Sequence, residues 1–589
     1  MRPETSRRTF VKGLAATGIL GGLGLWRTPV WAITSPGEAN VLAGTDFDLF
    51  IGETPVNITG NRRTAMTING GIPGPLLRWR EGDTVTLRVR NRLNADTSIH
   101  WHGILLPANM DGVPGLSFHG IEPGGMYVYQ FKVRQNGTYW YHSHSGLQEQ
   151  SGVYGPLVID AKEPEPFEYD RDYVVMLTDW TDEDAVDLMK TLKKQSDYYN
   201  YNKRTVGDFI HDVSEKGWGS TVADRKMWAE MKMNPTDLAD VSGATYTYLM
   251  NGQAPDMNWT GVFRPGEKLR LRFINGSAMT YFDVRIPGLK MTVVAADGLH
   301  VKPVSVDEFR IAVAETFDVI VEPTQDAYTL FAQSMDRTGY ARGTLAAKVG
   351  LSAPIPPLDP RPLVTMDDMG MGGMDHGSMG GDMAGMDHSQ MTGMDHSSMQ
   401  GMAGMDHSGM TGMGEMQSHP ATENNNPLVD MQAMTTSPKL DDPGLGLRDN
   451  GRRVLTYSDL RSTFADPDGR DPGRTVELHL TGHMEKFAWS FNGVKFSDAE
   501  PLRLKYGERI RIVLVNDTMM THPIHLHGMW SDLEDANGEF MVRKHTIDMP
   551  PGSRRSYRVT ADALGRWAYH CHLLYHMEMG MFREVRVEE

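Results

Sequence analysis

The sequence predicts an all-β protein of three homologous β-domains, and three observations predict it. Short runs such as Thr84-Val85-Thr86-Leu87-Arg88-Val89 alternate apolar with polar residues and end at Gly, Pro or Asn, the period of a half-buried strand. At 589 residues the chain exceeds a single hydrophobic core, and roughly three or four domains are the ordinary expectation. One pattern also recurs three times. Asn69-Gly70 precedes Gly82-Asp83, a strand and Asn91; Asn251-Gly252 precedes Gly266-Glu267, a strand and Asn275; Asn492-Gly493 precedes Gly507-Glu508, a strand and Asn516. In each copy the last Asn lies nine residues beyond the Gly of the second pair, so one turn–strand–turn geometry is expected three times. The copies place domains at 45–162, 170–355 and 445–589.

The chain opens with Ser6-Arg7-Arg8-Thr9-Phe10-Val11-Lys12, an apolar run from Gly13 to Trp26, and Val30-Trp31-Ala32. Residues 1–32 therefore read as a signal for the twin-arginine export machinery, which directs the mature chain to the periplasm. No later run reaches the roughly 20 apolar residues of a spanning helix, so no membrane span is expected in the mature chain. The net charge is −17, and losing five Lys/Arg and one acidic residue with the signal leaves −21. Such a surface disfavours nucleic acid and suits cations. An exported protein with one cysteine gains nothing from disulfides, so Cys571 is kept for other chemistry. A monomer is expected. Residues from about 181 to 240 have helix-like composition and read as an insertion in the second domain. Residues 366–434 are rich in Met, Gly, Asp and His and almost lack β-branched and aromatic residues, so a disordered linker is expected before the third domain.

Histidine carries the chemistry. The first copy holds His100-Trp101-His102 and His142-Ser143-His144; the third holds His522-Pro523-Ile524-His525-Leu526-His527 and His570-Cys571-His572. The middle copy has no histidine in the matching places, around Met279 to Phe282 and Tyr328 to Phe331, and is expected to be structural. On a strand, His-x-His points both rings to one face. Eight histidines (His100, His102, His142, His144, His525, His527, His570 and His572) suffice for a cluster of three coppers between domains one and three. Thr97, Ser143, Gln148 and Val153 of the first copy stand where the third has His522, Cys571, His576 and Met581. A thiolate, two imidazoles and a weak thioether are the ligands of a blue-copper electron-transfer site, so a mononuclear site on those four residues is expected in the third domain alone. His570 and His572 adjoin Cys571 in the chain, which gives an electron a covalent path to a cluster able to collect four and reduce O2 to water.

His100-Trp101-His102-Gly103, His142-Ser143-His144, His522-x-x-His525-x-His527-Gly528 and His570-Cys571-His572-x3-His576-x4-Met581 resemble the four signatures of the multicopper oxidases, over about residues 45–350 and 445–589. The resemblance implies three cupredoxin-like Greek-key sandwich or barrel domains and four copper ions. It places a type 1 copper on His522, Cys571, His576 and Met581, and a type 2 copper on His100 and His525. A type 3 pair falls on His102, His142 and His572 for one ion and on His144, His527 and His570 for the other. It also implies an acid beside the trinuclear channel, where Asp111 stands. Family members that oxidise cuprous ion often carry Glu directly after the last type 1 histidine; here Met577 holds that position, and Glu578 follows as candidate proton donor.

The methionine-rich stretch repeats one hexad four times: Met374-Asp375-His376-Gly377-Ser378-Met379, Met386-Asp387-His388-Ser389-Gln390-Met391, Met394-Asp395-His396-Ser397-Ser398-Met399 and Met405-Asp406-His407-Ser408-Gly409-Met410. Thioethers select Cu(I), and a solvated linker has no packing use for them, so extra labile copper is expected here. Beside His522, the side chains of Asp517, Met519 and Met520 form a second candidate site for substrate copper. These features resemble the copper-resistance branch of the bacterial multicopper oxidases, which implies oxidation of Cu(I) with O2 as acceptor. A laccase-type phenol oxidase and a copper-sequestering binding protein are the alternative readings.

Overall fold

The computed structural model describes residues 40–372 and 415–589. The three repeats form three two-sheet domains of one design. In each, the first long strand runs parallel to the strand of the repeated motif: Asp46–Val56 with Thr84–Asn91, Arg171–Thr181 with Leu269–Asn275, and Arg474–His483 with Arg509–Asn516. In each, a short strand also runs parallel to the last one: Leu76–Arg80 with Tyr154–Asp160, Trp259–Val262 with Tyr340–Ala346, and Leu502–Lys505 with Phe582–Glu588. Parallel neighbours cannot be joined by a hairpin, so the chain crosses between the two sheets, as in a Greek-key sandwich of the cupredoxin kind.

The repeat has a physical cause. Asn69, Asn251 and Asn492 take φ of 53°, 51° and 52°, each followed by Gly, the left-handed pair of a tight hairpin turn. Their side-chain oxygens accept from the N–H groups of Phe50, Met176 and His479 at 2.8, 2.7 and 2.7 Å. Asn91, Asn275 and Asn516 are buried clamps, each donating from its amide to two carbonyls: Ala95 and Ile121, Thr280 and Ile311, Met520 and Met549. In the third domain the clamped loop delivers His522 to its strand.

Helices Ala185–Lys194, Val206–Lys216 and Trp218–Glu230 fill the predicted insertion, the first two capped by Asp184 and Thr205. The stretch 366–434 differs from expectation at both ends. Met369 and Ala433 are fully buried, Met431 nearly so, and Glu415–Met416 pairs with Thr435–Thr436. Asp430 and Thr422 hydrogen-bond the third domain, through its Gly482 carbonyl and its Asn492 carbonyl. A few buried side chains and backbone bonds hold these ends, and composition averages them away. The four hexads from Met374 to Met410 and the signal 1–32 lie outside the described residues. No helix among the described residues is long and apolar enough to cross a membrane.

Replacing Asn275 by Ala, in the domain without histidine motifs, removes three buried hydrogen bonds. Chemical denaturation should register a loss of about 2–4 kcal/mol, with bound copper unchanged.

Candidate metal centre

Cys571 ends strand Gly565–Cys571 and faces Ile524 of strand His522–Leu526, whose first residue is His522. The short helix Leu574–Glu578 brings back His576. The Cys571 Sγ lies 3.5 Å from His522 Nδ1 and 4.0 Å from His576 Nδ1, and the two nitrogens are 3.2 Å apart. Three donors thus converge on room for one ion. Met581 is fully buried beside them; its carbonyl accepts from the Cys571 N–H at 3.1 Å and its N–H donates to His576 at 3.0 Å. Trp489 stacks on His576 at 3.8 Å. Each ring's outer nitrogen is fixed, His522 Nε2 by Thr518 Oγ1 and His576 Nε2 by Asp240 Oδ2, both at 2.7 Å. Burial holds both imidazoles far below their ordinary value and lifts the Cys571 thiol well above its own. A thiolate here therefore needs a bound cation to balance it.

The other eight histidines meet across the seam between domains one and three. His100 stands opposite His142 in one sheet and His525 opposite His570 in another. The donor atoms of His102, His142 and His572 lie within 4.8 Å of one another, as do those of His144, His527 and His570, and those of His100, His102 and His525. His100 stacks on His527 at 3.9 Å and His102 on His525 at 3.8 Å. The buried Nε2 atoms of His100, His142, His525 and His572 have no hydrogen-bond partner, which a bound metal would supply. Burial also holds His102, His142, His144, His525, His527, His570 and His572 below their ordinary value, neutral and ready to ligate. Imidazole-rich sites of this kind fit copper.

Carboxylates orient the rings. Asp111 Oδ2 accepts from His527 Nδ1 at 2.8 Å, its Oδ1 lies 3.3 Å from His100 Nδ1, and its own carbonyl accepts from that nitrogen at 2.8 Å. Gly112 permits this approach: its φ is 82°, and a Cβ there would stand 1.8 Å from the Ile99 carbonyl oxygen. Glu149 Oε2 lies 2.6 Å from His142 Nδ1 in full burial, and desolvation with the Asp179 charge raises its carboxyl well above the ordinary range. His545 Nδ1 lies 3.2 Å from His102 Nε2, and its carbonyl accepts from His525 Nδ1 at 2.6 Å.

The sequence reading misses Glu149, His545 and Asp240. Glu149 is legible from the repeat, because it stands in the first copy where Met577 stands in the third. His545 and Asp240 belong to no repeated motif. Glu578 is exposed at the end of its helix and so lies outside the buried cluster. Asp517 and Met519 face different surroundings. The Asp517 carboxylate accepts from the Ala433 N–H at 2.8 Å and faces His479 at 2.6 Å, whereas Met519 lines a separate cavity with Thr521, Tyr457 and Asp548.

Three sandwich domains, a Cys–His pocket and a histidine seam define a copper oxidase. Family models described as multicopper oxidase match residues 51–164, 171–349 and 469–589. The chain is 80% identical over 589 residues to a copper resistance protein A homolog of Pseudomonas syringae pv. tomato, with 100% of each chain covered. It is 74% identical over 602 residues to copper resistance protein A of Escherichia coli, again with 100% of each covered. Its fold matches the crystal structure of Fet3p, a multicopper oxidase that functions in iron import, with a TM-score of 0.63 at 19% identity, over 93% of this chain and 91% of that one. The chain belongs to the multicopper oxidase family and is an oxidoreductase that uses copper.

Asp111→Ala should weaken copper retention in the histidine seam by about 10–100-fold, the usual effect of losing a carboxylate behind a ligand. Chelator competition reads it, with the blue absorption of the Cys571 site unchanged.

Proposed function

We propose that the protein is a periplasmic cuprous oxidase of copper resistance, exported by the twin-arginine route, that couples one-electron oxidation of Cu(I) to four-electron reduction of O2 to water. The observation that carries this reading is the closure of the mononuclear site. His522 and His576 are both 0% exposed, and the outer nitrogen of His576, where an organic substrate would have to pack, is taken by Asp240. A bulky phenol finds no ring edge to lie against. The second oxygen of the buried Asp240 carboxyl has no hydrogen-bond partner, a donor that suits a cation and not an aromatic ring. The likeness to copper resistance protein A over the whole chain supports the same reading, as do the Met-Asp-His-x-x-Met hexads with their soft sulfur ligands.

His522, Cys571, His576 and Met581 would hold the type 1 copper, His100 and His525 the type 2 copper, and the remaining six seam histidines the type 3 pair. Bound copper would supply one-electron exchange at the first site and O2 reduction at the others. The chain's own residues do the rest. Asp240 joins the end of the insertion to His576 through one hydrogen bond, a short route for an electron. Cys571 joins that pocket to His570 and His572 through the backbone alone. Asp111 fixes the tautomers of His527 and His100. Glu149, whose carboxyl burial raises well above its ordinary value, stands beside His142 and suits a proton donor for O2 reduction.

Oxygen uptake with Cu(I) and with a bulky phenol tests the reading. The wild type should consume O2 faster with Cu(I), and Asp240→Ala should slow Cu(I) turnover by about tenfold or more, some 1.4 kcal/mol of barrier, while keeping the blue absorption. Faster turnover of the phenol by the wild type would sink it.

A further inference from the structure

A second group of ligating side chains lies outside the histidine seam. His419 and Glu423 come from the stretch that follows the methionine hexads in sequence, and His479 and Asp517 come from two neighbouring strands and their loop in domain three. His479 Nδ1 is 2.6 Å from Asp517 Oδ2 and 3.6 Å from Glu423 Oε1; His419 Nδ1 is 3.2 Å from Asp517 Oδ2 and 3.4 Å from Glu423 Oε2. One donor atom of each of the four residues falls within 4.8 Å of the others.

Every one of these side chains is held from behind. His419 Nε2 donates to the Ala433 carbonyl at 3.0 Å, and His479 Nε2 donates to Glu477 Oε1 at 3.2 Å. Glu477 is itself anchored by Arg554 and Gln417. Asp517 Oδ1 accepts from the Ala433 N–H, and Glu423 Oε2 accepts from Gln432 Nε2 at 3.2 Å. A ring nitrogen tied to a carboxylate or carbonyl, with the other nitrogen aimed inward, is the arrangement that orients a metal-binding histidine. Glu423 is 2% exposed, yet its Oε1 has no hydrogen-bond partner, and neither has His419 Nδ1. Hydrogen bonding within the group leaves these two inward atoms unsatisfied.

We propose that His419, Glu423, His479 and Asp517 form a further metal site for a divalent transition ion, with Cu(II) preferred. Two imidazole nitrogens and two carboxylate oxygens suit ions of borderline softness, and the absence of sulfur disfavours Cu(I). Two carboxylates with neutral imidazoles carry a charge that a divalent ion cancels, and Cu(II) stands highest in the affinity order of such donors. The site ties the stretch around His419 to the third domain. It also adjoins the type 1 pocket, since Thr518, next to Asp517, holds His522 Nε2. The site does not depend on which reductant the enzyme uses. Protons are the rival occupant: the Asp517 carboxylate keeps His419 above its ordinary value, and although burial works to lower His479, Asp517, Glu423 and Glu477 together raise it.

Equilibrium dialysis of the full chain, already loaded with its resident copper, against Cu(II) and separately against Zn(II) tests the site. His419→Ala and the volume-conserving Glu423→Gln should each lose one equivalent of Cu(II), or bind it at least about tenfold more weakly, as loss of even an outer partner does. Electron paramagnetic resonance should show the missing equivalent as a non-blue signal with nitrogen coupling. Unchanged blue absorption in the variants would show that the fold and the type 1 pocket survive. Equal stoichiometry and affinity in the wild type and both variants would mean an ion-pair cluster only, and would overturn the proposal.

Discussion

Eight imidazoles from two domains meet in one seam, four of them with a buried Nε2 that has no hydrogen-bond partner, and holding them there requires domains one and three to dock. An unsatisfied buried polar group costs about 1–3 kcal/mol, against a net stability of about 5–15 kcal/mol for a typical domain. The four orphaned Nε2 atoms of His100, His142, His525 and His572 are therefore a large liability unless metal satisfies them. Copper binding and the docking of the two domains are coupled by that arithmetic. The second domain supports the seam from the side: buried Lys544 pairs with its Asp297 and Glu315 at 3.0 and 3.1 Å, and so fixes the strand end that carries His545.

The division of labour between the domains follows from a few substitutions in one design. Where the third domain has Cys571 and His576, the first has Ser143 and Gln148, and these two hydrogen-bond each other at 3.0 Å. Thr97, in the place of His522, bonds the same Gln148 at 2.6 Å. The corresponding place in the first domain is thus closed by its own hydrogen bonds. In the second domain the buried Asp179 accepts from the N–H groups of Ala278, Met279 and Thr280, in the loop after Asn275.

Much of this was legible in the sequence because it repeats. The Asn-Gly turns, the buried Asn clamps and the paired histidines recur at fixed spacing, and each recurrence reflects a backbone geometry that few residues satisfy. Comparison of the copies separates Cys571, His522 and His576 from the eight seam histidines for the same reason. What stayed hidden acts singly and across domains. Asp240 reaches His576 from an insertion in another domain, His545 stands behind ligands in no motif, and Asp517 turns to His419 and His479. Composition assigns 366–434 to a linker, whereas Met369, Met431 and Ala433 pack their ends onto the third domain.

The central claim is that Cys571 is the junction between an electron-entry pocket and an oxygen-reducing seam, and Cys571→Ser in the copper-loaded protein tests it most directly. The seam of the variant, reduced beforehand with a small chemical reductant, should still be reoxidised by O2 in a single turnover, while steady-state O2 uptake driven by Cu(I) falls to background. Sustained Cu(I)-driven uptake at the wild-type rate would show that electrons enter the seam by another route and would contradict the account.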